Sequence, residues 1–160
     1  MAELVKSLAG RPARRDIARG PVREFLVFQL GNELYGVDLT RIREILSPPP
    51  ITHVPRCSRF VVGVCSVRGL LVTVVDLRRR LARAERPLGR RARILLAVAE
   101  SGETVGLLVD EVKQVVRLAD VEIEPAAVAL GGDFSEHVIG IGRPENMFLV
   151  LLDLSRIVSS

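Results

Sequence analysis

Hydrophobic positions along this chain fall in short runs, and glycine, proline, asparagine or charged residues interrupt them every eight to twelve positions or so. That spacing predicts many short strands, not helices with a 3.6-residue period. Phe25–Leu30 reads as a strand, Gly31-Asn32 as a tight turn and Leu34–Leu39 as the hairpin partner. Thr40–Leu46 sets Ile42, Ile45 and Leu46 at helical spacing, so a short turn of helix is expected there. Pro48-Pro49-Pro50 forbids helix and ladder pairing and predicts a rigid exposed connection, followed by an alternating strand over Ile51–Val54. Phe60–Val67 and Leu70–Val75 form a second hairpin around Arg68-Gly69, and Asp76 is placed to cap a short helix reaching Leu81.

The same course is then run again. Ile94–Ala99 and Thr104–Val109 flank Ser101-Gly102, Val112–Val116 follows, and a strand is expected over Val121–Ile123. Residues 125–135 read as a connection with room for one helical turn. Val138–Ile141 pairs with Met147–Leu152, and Asp153 caps a last turn ending at Val158. Gly36, Ile42, Ile45 and Pro55 recur as Gly106, Val112, Val115 and Pro125, each 70 residues on. Beyond the second proline the offset grows to 77: Gly63, Asp76 and Arg79 recur as Gly140, Asp153 and Arg156. The chain is a duplicated small β unit. Strands this short and apolar would aggregate through open edges, which favours closed barrels, or a pair of them, over a long-stranded sandwich.

With 160 residues, 48% of them hydrophobic, the chain can bury a core and is not disordered as a whole. Its apolar runs are too short to span a bilayer, and no secretory segment follows Met1, so a cytosolic protein without membrane insertion is expected. The net charge of +4 is concentrated: residues 1–23 alone carry +4, and the body from 24 to 160 is neutral. Residues 1–23 lack periodicity and read as a flexible basic leader. Within the body, Arg78–Arg93 holds eight arginines against Glu85. No aromatic residue lies between Phe60 and Phe134 to stack a base, so this segment reads as a solvated basic loop and no nucleic acid is expected.

Catalytic chemistry finds no foothold. His53 and His137 stand apart without zinc-site spacing, Cys57 and Cys65 read as buried or half-buried thiols, and no glycine-rich phosphate loop opens a helix. Asp76 and Asp153 could be imagined as paired acid-base carboxylates, but their matching places ahead of a helical turn make them caps. A non-enzymatic protein without a metal or cofactor follows.

The repeat separates scaffold from payload. Positions filled alike in both copies are those the β unit needs; positions filled differently are candidates for binding. Glu44 of RIREI aligns with Gln114 of VKQVV, and Arg68 of VRG aligns with Glu145 of PEN, a charge reversal at a turn tip. Gly69 and Asn146 both tolerate positive φ, so the turn is kept while its payload changes. An arginine on a stiff hairpin near a carboxylate is a directional anchor for a protein interface.

At these residues the chain resembles a known family. FLVFQLGNELYGVDLTRIREI, the ITHVP segment, VGVCSVRG and VTVVDL are similar to the CheW-type coupling domain of bacterial chemotaxis, over about residues 24–158. The resemblance implies two packed five-stranded SH3-like barrels, with copy one near 24–91 and copy two near 92–160 of a domain spanning 24–160. It also implies a non-enzymatic adaptor that bridges the cytoplasmic tip of methyl-accepting chemoreceptors to the regulatory domain of a CheA-type histidine kinase. Such an adaptor is a monomer that joins larger arrays at receptor clusters. Ile42, Glu44, Gly63 and Arg68 match family positions for receptor and kinase contact. The family's Asn-Leu-Arg-Gly stands here as Ser66-Val67-Arg68-Gly69, and the triple proline and the arginine segment are unusual for it. The rival readings are a stand-alone regulator of another enzyme in a parallel chemosensory pathway and a basic-loop nucleic-acid-binding barrel.

Overall fold

A computed structural model describes residues 21–81, 87–129 and 136–158. Copy one contributes strands β1 (Val22–Leu30), β2 (Glu33–Asp38), β3 (Ile42–Leu46), β4 (Val61–Val67) and β5 (Leu70–Asp76), then helix α1 (Leu77–Arg80). Copy two contributes β6 (Arg93–Val98), β7 (Thr104–Val109), β8 (Glu111–Ala119), β9 (Ile123–Pro125), helix α2 (Ala126–Ala129), β10 (Val138–Gly142), β11 (Leu149–Leu152) and helix α3 (Leu154–Val158). Most of the basic leader lies outside the described residues, but Val22 and Arg23 already belong to β1.

The strands form two sheets, ordered β8-β1-β2-β11-β10-β9 and β3-β6-β7-β5-β4. These match the expected pair of barrels. Each sheet draws on both copies: the first hairpin of one copy sits beside the later strands of the other. Exchanging the copies maps one order onto the other, with the short bridge Thr52↔Val64 in the place of β9. Four pairings stitch the halves together, antiparallel β1–β8 and β3–β6 and parallel β5–β7 and β11–β2, and the two parallel ones share one register. Val74 faces Gly106, and Leu151 faces Gly36, the same pair under the repeat offsets.

Side chains sort into three cores by strand alternation. Leu26, Phe28 and Leu30 of β1 and Leu95 and Ala97 of β6 point into a core shared by both sheets, which also takes Val75, Leu77, Leu152, Leu154 and Ile157. Phe25 and Val27 turn the other way, toward Val116, Leu118, Leu149 and Leu151. Ile94 and Leu96 face Cys65, Val72, Val74 and Leu108 in the other sheet. Strands β1 and β6 are therefore buried on both faces, which is why they read as unbroken apolar runs. Each fully buried Leu or Phe side chain contributes about 1.5–3 kcal/mol, and β1 alone supplies several.

Three local expectations are corrected. The helical turn expected over Thr40–Leu46 is a 3₁₀ turn at Leu39–Arg41 followed by strand β3. A bulge shifts the register between Ile42 and Glu44, so Ile42, Glu44 and Ile45 are all buried, and the i, i+3 pair Ile42 and Ile45 imitates helical spacing. Ile51–Val54 forms only the single bridge at Thr52. Val121 lies in a 3₁₀ turn at Asp120–Glu122, and the strand starts at Ile123 instead. Both caps are present: Asp76 Oδ1 accepts from the Arg78 amide at 2.9 Å, and Asp153 Oδ1 from the Ser155 amide at 3.0 Å. Among the described residues no helix is long and apolar enough to cross a membrane.

Candidate functional site

The β4–β5 hairpin turns on two left-handed residues, Arg68 at φ 51° and Gly69 at φ 82°. That backbone matches the right-handed twist of the flanking strands and makes a stiff tip. Arg68 is not a residue that favours this conformation, and a contact holds it there. Its Nη2 donates to Oε2 of Glu44, forming an ion pair. Glu44 stands on β3, the opposite edge of the same sheet, so the pair ties the first and last strands of that sheet together. The Glu44 side chain is 11% exposed and that of Arg68 67%. The hydrogen bond that Arg68 donates to Glu44, and after it the carboxylate charge, raise the Arg68 pKa above its usual value. One half of the pair is thus anchored while the other is presented to solvent.

Beside the tip, Leu70 is 71% exposed and Leu71 77%. These adjacent strand residues project from opposite faces of β5, so the fixed guanidinium has an exposed leucine on each face of the hairpin beside it. These leucines were not singled out from the sequence, because an apolar run at the start of a strand reads as core. The available signal was the repeat: Leu71 aligns with Phe148, which is also exposed.

The other two candidates lie deeper. Ile42 is two residues from Glu44, but its side chain is buried in the shared core. Gly63 is where the Ile51-Thr52 segment crosses β4, and a Cβ there would meet the Thr52 carbonyl oxygen at 2.1 Å. Gly140 does the same for Glu124, at 2.6 Å. The structure therefore brings Glu44 and Arg68 into contact, and places Ile42 in the shared core and Gly63 at the Thr52 crossing.

Copy two builds its tip differently. Glu145 and Asn146 hold the left-handed positions, at φ 52° and 64°. Gln114, the counterpart of Glu44, donates to the Met147 sulfur at 3.6 Å. Arg143 pairs with Glu124 at 2.9 Å and lies 5.7 Å over the Phe148 ring.

The arginine segment also departs from expectation. Residues 82–86 lie outside the described residues. Arg78 is not a solvated charge: it is buried, 3.6 Å from Asp76 and 3.5 Å from Asp110. Asp110 in turn accepts from the Gly31 amide at 2.7 Å, so this network links α1, the β7–β8 junction and the β1–β2 turn. Arg91 reaches Glu111 at 3.5 Å. Among the described residues no three His, Cys, Asp or Glu side chains gather to hold a metal ion.

Duplicated β units exchanging hairpins between two barrels, with an exposed apolar tip and both aspartates used as caps, define a protein-contact scaffold. Residues 24–160 match the family model for the CheW-like domain, and the chain belongs to that family of chemotaxis coupling domains. It is 33% identical over 142 residues to the chemotaxis protein CheW of Klebsiella aerogenes, covering 86% of this chain and 82% of that one. It is 34% identical over 122 residues to protein FrzA of Myxococcus xanthus, covering 76% and 74%. Among solved structures, the scaffolding protein TtCheW of Thermoanaerobacter tengcongensis superposes with a TM-score of 0.78 at 26% identity, covering 88% of this chain and 94% of that one.

Proposed function

We propose that this protein is a non-catalytic adaptor of a chemosensory pathway. One partner is the cytoplasmic tip of a methyl-accepting receptor, and the other is the regulatory domain of a CheA-type histidine kinase. The observation that carries the reading is the β4–β5 tip, where Arg68, held by Glu44, stands beside the exposed Leu70 and Leu71. Apolar area supplies affinity there, while a fixed charge sets orientation and suppresses wrong partners.

The adaptor works by bivalency. Two modest contacts on one rigid body raise the effective concentration of kinase at the receptor. A two-barrel body with a shared core is suited to this, because a bias imposed at one contact is not absorbed by a hinge. The protein acts in the cytoplasm, at receptor clusters, as a monomer that enters larger arrays.

Calorimetry against the regulatory domain of the cognate kinase tests the reading, with Arg68→Ala and Glu44→Ala alongside. Saturable one-to-one binding that weakens in Arg68→Ala is the expected result. A folded protein that binds no cognate kinase would remove the adaptor function and leave only the fold.

A further inference from the structure

The arginine segment Arg78–Arg93 helps to wall a cavity of about 390 Å³ at the end of the second sheet where β4 begins and β5 and β7 finish. Leu108 belongs to the core of that sheet and Val62 packs against it, so the cavity opens directly over packed side chains. Asp76 and Arg78, each 4% exposed, line it together with Arg79, whose side chain is 38% exposed. Pro87 and Leu88 complete the wall, and Leu88 leaves 47% of its surface in solvent. Among the described lining residues, two guanidinium groups thus accompany one carboxylate; Asp110 meets Arg78 from outside the cavity.

We propose that this cavity binds a small organic carboxylate, one anionic group on a compact apolar body. Charge decides the sign of the ligand. Beyond the lining residues, the eight arginines of Arg78–Arg93 stand against four carboxylates, Glu85 within the segment and Asp76, Asp110 and Glu111 beside it, which leaves an excess of four positive charges. A concave wall carrying such an excess focuses the field and draws in anions. Guanidinium groups suit a carboxylate because their planar fork offers two parallel N–H donors. The apolar walls decide the rest. Val62, Pro87, Leu88 and Leu108 offer no side-chain donor, so a bare inorganic anion would trade hydration for hydrocarbon over most of its surface. A carboxylate on an apolar body instead sets its head against Arg79 and covers the exposed Leu88. The volume lies within the usual range for a small-molecule site, about 300–1,000 Å³. From Asp76 back to Leu70, β5 runs roughly 20 Å, so the site is separate from the Arg68 tip and does not rest on the adaptor reading.

The test is a titration of the isotope-labelled full chain with hexanoate at constant ionic strength, followed by amide resonances, with hexanol and inorganic phosphate as parallel probes. Saturable shifts at 62, 76–79, 88 and 108 are expected, with the Arg68–Leu71 amides unmoved. A ligand this small should show a Kd of about 1–10 mM. Hexanol, which lacks the charge, and phosphate, which lacks the apolar body, should each bind at least about fivefold more weakly. Leu88→Glu sets a negative charge on the wall and should weaken hexanoate about five- to tenfold, whereas Leu88→Lys should hold or tighten it. A merely structural role for Leu88 would move both variants the same way. No saturable shift, equal binding of hexanol or phosphate, shifts spread over the exposed arginines, or equal affinity in the two Leu88 variants would each overturn the proposal.

Discussion

The two copies share a backbone plan and differ in where they keep their charge. Around α1, the helix itself carries the cation: Arg78 reaches into copy two to Asp110. Around α3, the counterpart of Arg78 is Ser155, and the cation comes from the other partner. Arg41, in the 3₁₀ turn of copy one, donates to the Ser155 hydroxyl at 3.3 Å and to the Val98 carbonyl at 2.9 Å. Both seams are therefore fastened across copies, but one by a buried ion network and the other by half-exposed hydrogen bonds. The tips diverge in the same spirit. Copy one sets an ion pair beside bare leucines, while copy two sets Arg143 over the ring of its exposed Phe148 and gives Gln114 a methionine sulfur as partner. A duplicated scaffold tolerates this because glycines, caps and apolar runs hold the fold, leaving turns and seams free to specialise.

Unequal responses from equivalent substitutions would sharpen that comparison. The largest is expected from Arg78→Ala, which removes the buried cation between Asp76 and Asp110 and leaves them to Arg79 and backbone amides, and it should cost about 3 kcal/mol in denaturant unfolding. Ser155→Ala, at the equivalent place, loses single hydrogen bonds and should cost about 1 kcal/mol. Similar losses from the two would show the seams to be alike after all.

Gly63→Ala and Gly140→Ala probe the shared scaffold and should behave as twins. In each, the new methyl meets a crossing backbone carbonyl, at 2.1 Å and 2.6 Å from the Cβ position. Overpacking of this kind typically costs about 1–3 kcal/mol, read as a lower midpoint of unfolding. A loss of partner binding in Gly63→Ala without a loss of stability would make Gly63 a contact residue instead of a support.

The tips should separate binding from folding. Arg68→Ala and Leu71→Ser should each weaken kinase-domain binding roughly tenfold. The unfolding midpoint should stay nearly unchanged in Leu71→Ser, while Arg68→Ala should also lower it, because it leaves the buried Glu44 without this partner. Glu145→Ala, at the opposite tip, should leave that affinity in place. Equal losses from both tips would mean that the kinase contact does not distinguish the copies.

The smallest difference is one of pH. His137 of copy two stands where copy one has Phe60. Burial first, and then the neighbouring Arg80, hold its pKa below the usual 6.5. A histidine depressed in the folded state favours its neutral form, so its stabilising share is complete above 6.5 and is lost as pH falls through the folded value. His137→Phe should therefore flatten the decline in stability between neutral and mildly acid pH. An unchanged slope would place the acid sensitivity elsewhere.

Much of this molecule was legible from residue order alone. Alternation and turn residues located most strands, the 70- and 77-residue offsets exposed the duplication, and the matched aspartates announced two helix caps. Glu44 and Arg68 stood out because the repeat gave each a differing counterpart. The strand at Ile42–Leu46 reads as helical because the bulge between Ile42 and Glu44 breaks the two-residue period and leaves the buried isoleucines Ile42 and Ile45 three residues apart. Other features could not be read from the order at all. An apolar strand buried on both faces announces that it has neighbours, but not which ones. Only the pairings across copies, parallel for β5 with β7 and β11 with β2 and antiparallel for β1 with β8 and β3 with β6, decided that each barrel is built from both copies. Those pairings place Asp110 against Arg78, beside the cavity that Val62, Leu88 and Leu108 wall. They also leave Leu70 and Leu71 bare, because β7 pairs with β5 only from Thr73 onward. Periodicity records whether a side chain is buried; which distant segment buries it is settled by packing over the whole chain.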